Sequence, residues 1–568
     1  MSALIADEQW QPIKDLLPEI QANVTNLSST ANRRSIYAQV NLANSLIDLA
    51  ASDADAQNYL HKSQNLLTKA IQQAQQLQDL KAKSYGLGIL GHLYEQQQQW
   101  GVGQKYTEQA LELAQRINQP ELIYQWQWQL GRLSVIQDDR SSAIASYSEA
   151  VNALESLRGD LVVTNIDTQF SFRESIEPVY RELISLLLQP QGEGEISQDN
   201  LLQARNTVES LQLAELNDFF REACLDAQPT SIDDIDRQAA VIYPIILGDR
   251  LEVIVSLPGK PLRHYSTQIP QVELEAEIEQ LRQTVGIRSR RAFYQPAQNL
   301  YNWLIRPALK DLADSGIETL VFVPDGSFRN IPMAVLHDGE KYLIEDYNLA
   351  LTPGLQLLAP RPLEEVELKT LVAGLTEARH GFAPLDYVKV ELEDIQQQTN
   401  SKVLLDREFT QETLQAKMES AEYPIVHIAT HGQFSSTLED TFLLAWDNPI
   451  QIKQLDRLLK SQNLKQQQAI ELLVLSACET AVGDRRAALG IAGMAVRGGA
   501  RSTLATLWTV SDESTALAMK NFYQRLTQSE VPMTKAKAWR QSQLDLIYST
   551  RFKHPYYWAP YILLGNWL

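Results

Sequence analysis

The sequence predicts a multidomain chain: an all-α helical-repeat solenoid, then an α/β domain with a mostly parallel sheet flanked by helices. Two observations carry this. Small residues recur at a fixed step through an N-terminal region poor in proline and glycine. In the C-terminal half, short runs rich in β-branched residues alternate with helical segments. The size agrees, because 568 residues exceed what one core organises. A hydrophobic content of 44% and a charged content of 21% belong to a folded, water-soluble chain rather than a disordered one.

The solenoid reading rests on residues from about 34 to 186. Gly91-His92-Leu93 is echoed by Gly131-Arg132-Leu133 forty residues on, and Ala70, Ala110 and Ala150 keep the same step. Small residues at fixed positions let paired helices approach closely, while Leu and Tyr fill between them. These residues resemble tetratricopeptide repeats, with a longer step than the usual ~34 residues and so with extended helices or turns. Such an array offers a concave surface for peptides or partner proteins, or packs as a scaffold on the next domain; solenoids do both.

Residues 1–186 are assigned to the repeats, 187–229 to a connecting loop and helix, and 230–568 to the second domain. Gln189-Pro190-Gln191-Gly192-Glu193-Gly194-Glu195 is a loop by composition. A helix over about 199–224 and a polar break from Ala227 to Asp236 follow. Next, Val241–Leu247 and Leu251–Leu257 flank Gly248-Asp249-Arg250 as a hairpin. Helices are predicted near 271–285 and 296–312. Strands are predicted at Leu320–Val323, Thr370–Ala373, Val403–Leu405, Pro424–Ile428, Leu472–Leu475, Ser502–Leu507 and Tyr561–Leu564. The C-terminal aromatics Tyr556, Tyr557, Trp558, Tyr561 and Trp567 are expected to pack around that last strand.

Charge and motifs exclude several classes. A formal net charge of -20 argues against a general nucleic-acid binder. No stretch reaches the roughly 18 apolar residues of a bilayer span. Met1 to Glu8 lacks a basic segment followed by an apolar one, so no secretion signal is read and a cytoplasmic protein is expected. Cys224 and Cys478 are then expected to be free thiols, with Cys224 a small core residue of no assigned role. No Cys/His cluster has zinc spacing, and neither metal nor cofactor is expected.

Two runs carry chemistry. Ile425–Ala429 leads to Thr430-His431-Gly432, and Leu472–Leu475 leads to Ser476-Ala477-Cys478-Glu479-Thr480. In open α/β sheets, ligands sit outside the carboxyl ends of the strands, so His431 and Cys478 should share one rim. A thiol with a pKa of about 8.5 needs an adjacent imidazole to become a thiolate. The backbone N–H groups of Gly432 and Cys478 are candidate oxyanion donors. Alone, His431 would be a strand cap and Cys478 an inert core residue; together at strand ends they favour catalysis. His427 reads as a histidine of the core or one supporting the site. His337, His380 and His554 carry no motif.

Further motifs stand in a specific order. They are Phe322-Val323-Pro324-Asp325-Gly326-Ser327-Phe328-Arg329-Asn330-Ile331-Pro332, Gly498-Gly499-Ala500-Arg501-Ser502, Leu507-Trp508-Thr509-Val510-Ser511-Asp512 and Trp558-Ala559-Pro560-Tyr561. With the His431 and Cys478 motifs they resemble CHAT domains, relatives of caspases and separase, over roughly 230–568. The resemblance implies a caspase-like α/β fold and a cysteine endopeptidase, with His431 as base and Cys478 as nucleophile. It also implies a pocket in which Asp512, walled by Trp508, receives Arg or Lys of a protein or peptide substrate. Asp512 reads equally as part of a helix N-terminal cap with Ser511. Arg485-Arg486 is either a self-cleavage site or, by preference, a solvated turn. The expected activity is proteolysis regulated by a protein partner on the repeats. The alternatives are a catalytically silent scaffold and, with nothing in its favour, an acyltransferase.

Overall fold

The computed structural model describes residues 10–27, 30–51, 55–157, 172–190, 192, 194–220, 232–355, 361–363, 368–420, 423–434, 441–451, 453–455, 457–458, 470–476, 479–480, 500–508, 510–529 and 533–568. The chain divides into two units, Met1–Gln189 and Pro190–Leu568.

The first unit is helical. The helices Leu80–Gln96, Trp100–Arg116, Pro120–Ile136 and Arg140–Ser156 each hold 17 residues and begin twenty apart. Two of them make the forty-residue step seen in the sequence. Their spacing is kept by one turn used four times. Gln78, Gln98, Asn118 and Asp138 take positive φ of 54°, 60°, 49° and 59°. Each forms the left-handed close of the preceding helix, and the next residue's N–H reaches back five positions, as in Gln99 N to Tyr94 O at 2.9 Å. Ala70, Ala110 and Ala150 are fully buried. Gly91 explains the small-residue step: a Cβ there would lie 2.4 Å from Thr107 Oγ1 and 3.0 Å from the Gly103 carbonyl. Within this unit the Glu95 carboxyl resists burial through bonds to His92 and Arg132, which hold it down at about 2.

The second unit is built on an 11-stranded sheet in the order β3-β2-β1-β4-β5-β15-β14-β12-β8-β6-β7. Its strands are β1 Ala239–Ile246, β2 Arg250–Ser256, β3 Arg263–Gln268, β4 Thr319–Phe322, β5 Asn348–Leu351, β6 Lys369–Gly374, β7 Asn400–Leu405, β8 Ile425–Ala429, β12 Leu472–Ser476, β14 Ser502–Thr506 and β15 Tyr561–Gly565. A four-stranded sheet, β11-β10-β9-β13, joins β9 Gly432–Phe434, β10 Phe442–Leu444, β11 Pro449–Gln451 and β13 Glu479–Thr480. Pairing is parallel within β1-β4-β5-β15 and within β14-β12-β8-β6-β7. The two sets run opposite ways and meet at the antiparallel β14–β15 pair. Central strands β4, β5, β8, β12, β14 and β15 are buried along their whole length, which is why they read as continuous apolar runs.

Three details differ from the sequence reading. The helix expected over 296–312 is broken: Tyr294–Leu304, a 3₁₀ turn Arg306–Ala308, then Leu309–Ala313. Pro307 disfavours helical geometry at the residue before it and donates no hydrogen bond. The polar edge strand β3, the four-residue central strand β5 and the short β9, β10, β11 and β13 lacked an apolar run long enough to mark them. The connecting segment is not a mere linker either. Its helix Gln198–Phe220 packs within the second unit: Tyr243 donates to Glu209 at 2.7 Å, and Gln212 donates to the Pro324 carbonyl at 3.0 Å. Glu215 pairs with Arg329 of the Phe322–Pro332 motif, so that motif is a structural clamp. Trp558 and Trp567 are fully buried and Tyr561 nearly so, which makes these three core packing, while Tyr556 and Tyr557 are only partly buried.

One buried charge stands apart. Lys535 is fully buried, and its Nζ makes no hydrogen bond among the described residues. Desolvation lowers its pKa from 10.5 to about 7, although Glu471 favours the charged form. Glu471 keeps other partners, Arg361 at 3.1 Å and Arg501 at 3.2 Å.

Two predictions follow from this packing, both read from denaturant unfolding of the full chain. Gly91→Ala should destabilise by about 1–3 kcal/mol through overpacking, whereas Gly101→Ala, where nothing lies within 4 Å, should stabilise by about 0.5–1 kcal/mol. Equal effects would refute the close-approach account. Lys535→Met should stabilise by roughly 1–4 kcal/mol near pH 7. Between pH 7 and 10.5 the unfolded chain binds a proton that the native Lys535 does not. Wild-type stability should therefore rise with pH across that window relative to the variant.

Candidate functional site

The second parallel set places the site. From β6 the chain moves outward to β7, then returns to lay β8 on the other side of β6 and β12 beyond it. Such a reversal opens a crevice at the carboxyl ends of the flanking strands, here β6 and β8. His431 leaves β8 at this edge. The ladder between β8 and β12 runs from Leu472 opposite Ile425 to Ser476 opposite Ala429, and Thr430 N continues it to Ser476 O at 3.2 Å. Beyond the edge the same two segments pair again in parallel, Glu479 opposite Gln433. Cys478 lies outside the described residues, as do Cys224, Arg485 and Arg486.

His431 is half-buried, and two neighbours hold its ring. Its Nε2 lies 2.8 Å from the Ala383 carbonyl, and Phe382 stacks on it at 4.9 Å and 29°. A carbonyl only accepts, so Nε2 carries a proton, and in the neutral ring Nδ1 has the free lone pair. The backbone is fixed as well: Leu444 N donates to His431 O at 2.8 Å, and buried Thr430 Oγ1 donates to Leu444 O at 2.7 Å. Gly432 is buried and pairs with Leu443.

Ala383 and Phe382 come from the loop after β6, which is shaped by a left-handed turn at His380 (φ 49°) and Gly381 (φ 88°). Arg379 anchors that turn, its guanidinium 3.6 Å from the centre of the Trp446 ring and its Nε donating to Trp446 O at 3.2 Å. Nothing in the sequence marked Ala383, because its working group is a backbone carbonyl. His380 turns out to be a turn residue.

Asp512 begins the helix Asp512–Gln528, with Ser511 at the capping position but making no side-chain cap bond. Its carboxyl is half-buried, and burial pushes its pKa up, with the charges of Glu391 and Asp386 acting the same way. The His431 imidazolium and the Tyr387 backbone N–H oppose this shift. Asp512 and His431 are therefore near enough for their charges to act on each other. Trp508 is partly buried on the segment leading to that helix, and its Nε1 donates to Tyr556 O at 3.4 Å.

Beneath the edge lies a buried polar chain. His427 Nε2 is 2.9 Å from Glu391 Oε1, and Ser476 Oγ donates to the same oxygen at 2.7 Å. His427 Nδ1 is 3.2 Å from the Tyr523 hydroxyl. All four side chains are at most 2% exposed. His427 was legible as a supporting histidine, but Glu391 and Tyr523 were not, since neither stands near a motif. Among the described residues no group of three His, Cys, Asp or Glu could hold a metal ion, and no helix is long and apolar enough to cross a membrane.

Residues 294–566, within the second unit, match the family model of the CHAT domain. No curated protein matches the chain significantly. Among solved structures, separase from Saccharomyces cerevisiae in its complex with securin is 10% identical, with a TM-score of 0.41 over 99% of this chain and 56% of separase. Gingipain R, an Arg-specific cysteine proteinase, is 9% identical, with a TM-score of 0.33 over 52% of this chain and 74% of its own. BtubC from P. vanneervenii is 16% identical, with a TM-score of 0.22 over 37% of this chain and 86% of BtubC. The chain thus spans little more than half the separase chain it matches.

Proposed function

We propose that the protein is a cysteine endopeptidase whose base is His431 and whose nucleophile is Cys478. The register of β8 and β12 carries the reading. Ser476 lies opposite Ala429 and Glu479 opposite Gln433, and Cys478 is the third residue of that four-residue stretch of chain, as His431 is the middle residue of its counterpart. Two segments paired on both sides of a gap keep their intervening residues within reach of each other.

The chemistry then runs as general-base activation. His431 Nδ1 takes the thiol proton, while the Ala383 carbonyl holds Nε2–H and orients the ring. The thiolate attacks the scissile carbonyl, and the oxyanion is received by the backbone N–H groups of Gly432 and Cys478. The imidazolium returns its proton to the leaving amine as the C–N bond breaks. Water then hydrolyses the thioester, with His431 again as base. Asp512, walled by Trp508, takes the basic side chain before the cut: its partly desolvated carboxylate would pair with a guanidinium through two hydrogen bonds. The helical repeats hold a regulatory protein partner that favours the cleaving state.

Two outcomes test this. In a diverse peptide library read by mass spectrometry, cleavage by the full chain should vanish in Cys478→Ala and fall by roughly three orders of magnitude or more in His431→Ala. Products unchanged in Cys478→Ala would leave a scaffold as the better description. For Arg or Lys substrates, kcat/KM should fall as pH drops through a value above the ordinary Asp range, because protonated Asp512 no longer pairs with the guanidinium. Asp512→Asn should erase both that limb and the preference over neutral residues.

A further inference from the structure

Resting on the cysteine-peptidase reading, we propose that Glu391 is the positioning residue of the site, one buried carboxylate that fastens together the three elements carrying His431, Cys478 and Asp512. Its oxygen Oε1 is shared by Ser476 of β12, two residues before Cys478, and by His427 of β8, four before His431. Through His427 it reaches Tyr523 of the helix that Asp512 begins. Eleven residues separate Asp512 from Tyr523, which is three helical turns plus about 20°, so both lie on one face of that helix.

The hydrogen bonding closes with a single assignment of protons. Tyr523 O–H donates to His427 Nδ1, His427 Nε2–H donates to Glu391, and Ser476 O–H donates to Glu391. Each donor in the chain has its acceptor, which is the condition under which a buried polar network rigidifies rather than destabilises. The Glu391 carboxylate accepts from both strands at once on one oxygen, and its charge strengthens both bonds.

A merely structural core group would hold the fold and leave the chemistry alone, but Glu391 does more in two ways. Its two bonds fix how β8 and β12 emerge at the sheet edge, and nucleophile–base geometry is sensitive to displacements of an ångström. Its charge also acts on Asp512. Among the described residues, the titratable and charged groups that act on Asp512 are Glu391 of the helix Val388–Gln398, Asp386 of the loop after β6 and His431 after β8, together with the Tyr387 N–H. Glu391 is the first of these after burial itself in holding the Asp512 proton on.

The test uses the full-length protein with Cys224→Ser, which leaves Cys478 as the one thiol. Two readouts are taken against pH: kcat and KM on an Arg-containing peptide cleaved by wild type, and the rate of iodoacetamide alkylation of Cys478. In Glu391→Gln, kcat should fall roughly ten- to a hundredfold with KM little changed. The acid limb for Arg substrates should move to lower pH, since Asp512 loses a neighbouring negative charge. Ser476→Ala keeps that charge, so kcat should fall while the limb stays in place. It carries the test, with Tyr523→Phe, if Glu391→Gln does not fold. A folded Glu391→Gln with wild-type kcat, alkylation profile and acid limb overturns the role of Glu391 while leaving the peptidase reading intact. A wild-type thiol that alkylates like a free cysteine near pH 8.5, with no cleavage dependent on Cys478, overturns both.

Discussion

The parallel pairing of β8 with β12 is the constraint on which the rest of the site depends. Side chains alternate along a strand, so a slip of one residue would turn His427 and Ser476 to the opposite face and part them from Glu391. The register is held because both strands are buried along their length and because β6 and β14 flank them in the same direction. A strand buried on both faces has no solvent-facing alternative to move to. The ends of β8 and β12 therefore emerge together, and the reactive segments inherit that alignment.

The domain handles buried charge in contrasting ways. Glu391 is surrounded by donors that satisfy it, and Arg329 is closed off by Glu215 and the Pro324 carbonyl. Both arrangements stitch together segments remote in sequence, which apolar packing alone would leave free to repack. Lys535 is the exception: its amine is buried beside Glu471 and Arg501 without a bond among the described residues. It lies at the start of the helix Lys535–Ile547, away from the crevice between β6 and β8.

The first unit illustrates economy of a different kind. One left-handed turn, repeated at twenty-residue intervals, sets both helix length and helix spacing. The residues at these turns are Gln, Asn and Asp rather than Gly, so the geometry is held by the reach-back bonds and the packing of the paired helices rather than by an unencumbered backbone. Gly91 and Gly131 then do in the helix interfaces what the turns do at the ends, setting how closely neighbours approach.

What the sequence determined by itself was local and periodic. The forty-residue step announced paired helices, the β-branched runs announced the central strands other than β5, and strand ends marked His431 as the residue to watch. Short or polar strands such as β3 and β9 were illegible because pairing partners, not their own composition, make them strands. The tertiary structure alone decided what surrounds His431 and which groups support it. Ala383 acts through a carbonyl that every residue possesses and lies 48 positions from His431. Glu391 meets His427 across 36 positions and Ser476 across 85, while Tyr523 meets His427 across 96. A hydrogen bond between groups so distant leaves no periodic trace in the chain, since it depends on strand order and register, which emerge only when the whole sheet is assembled.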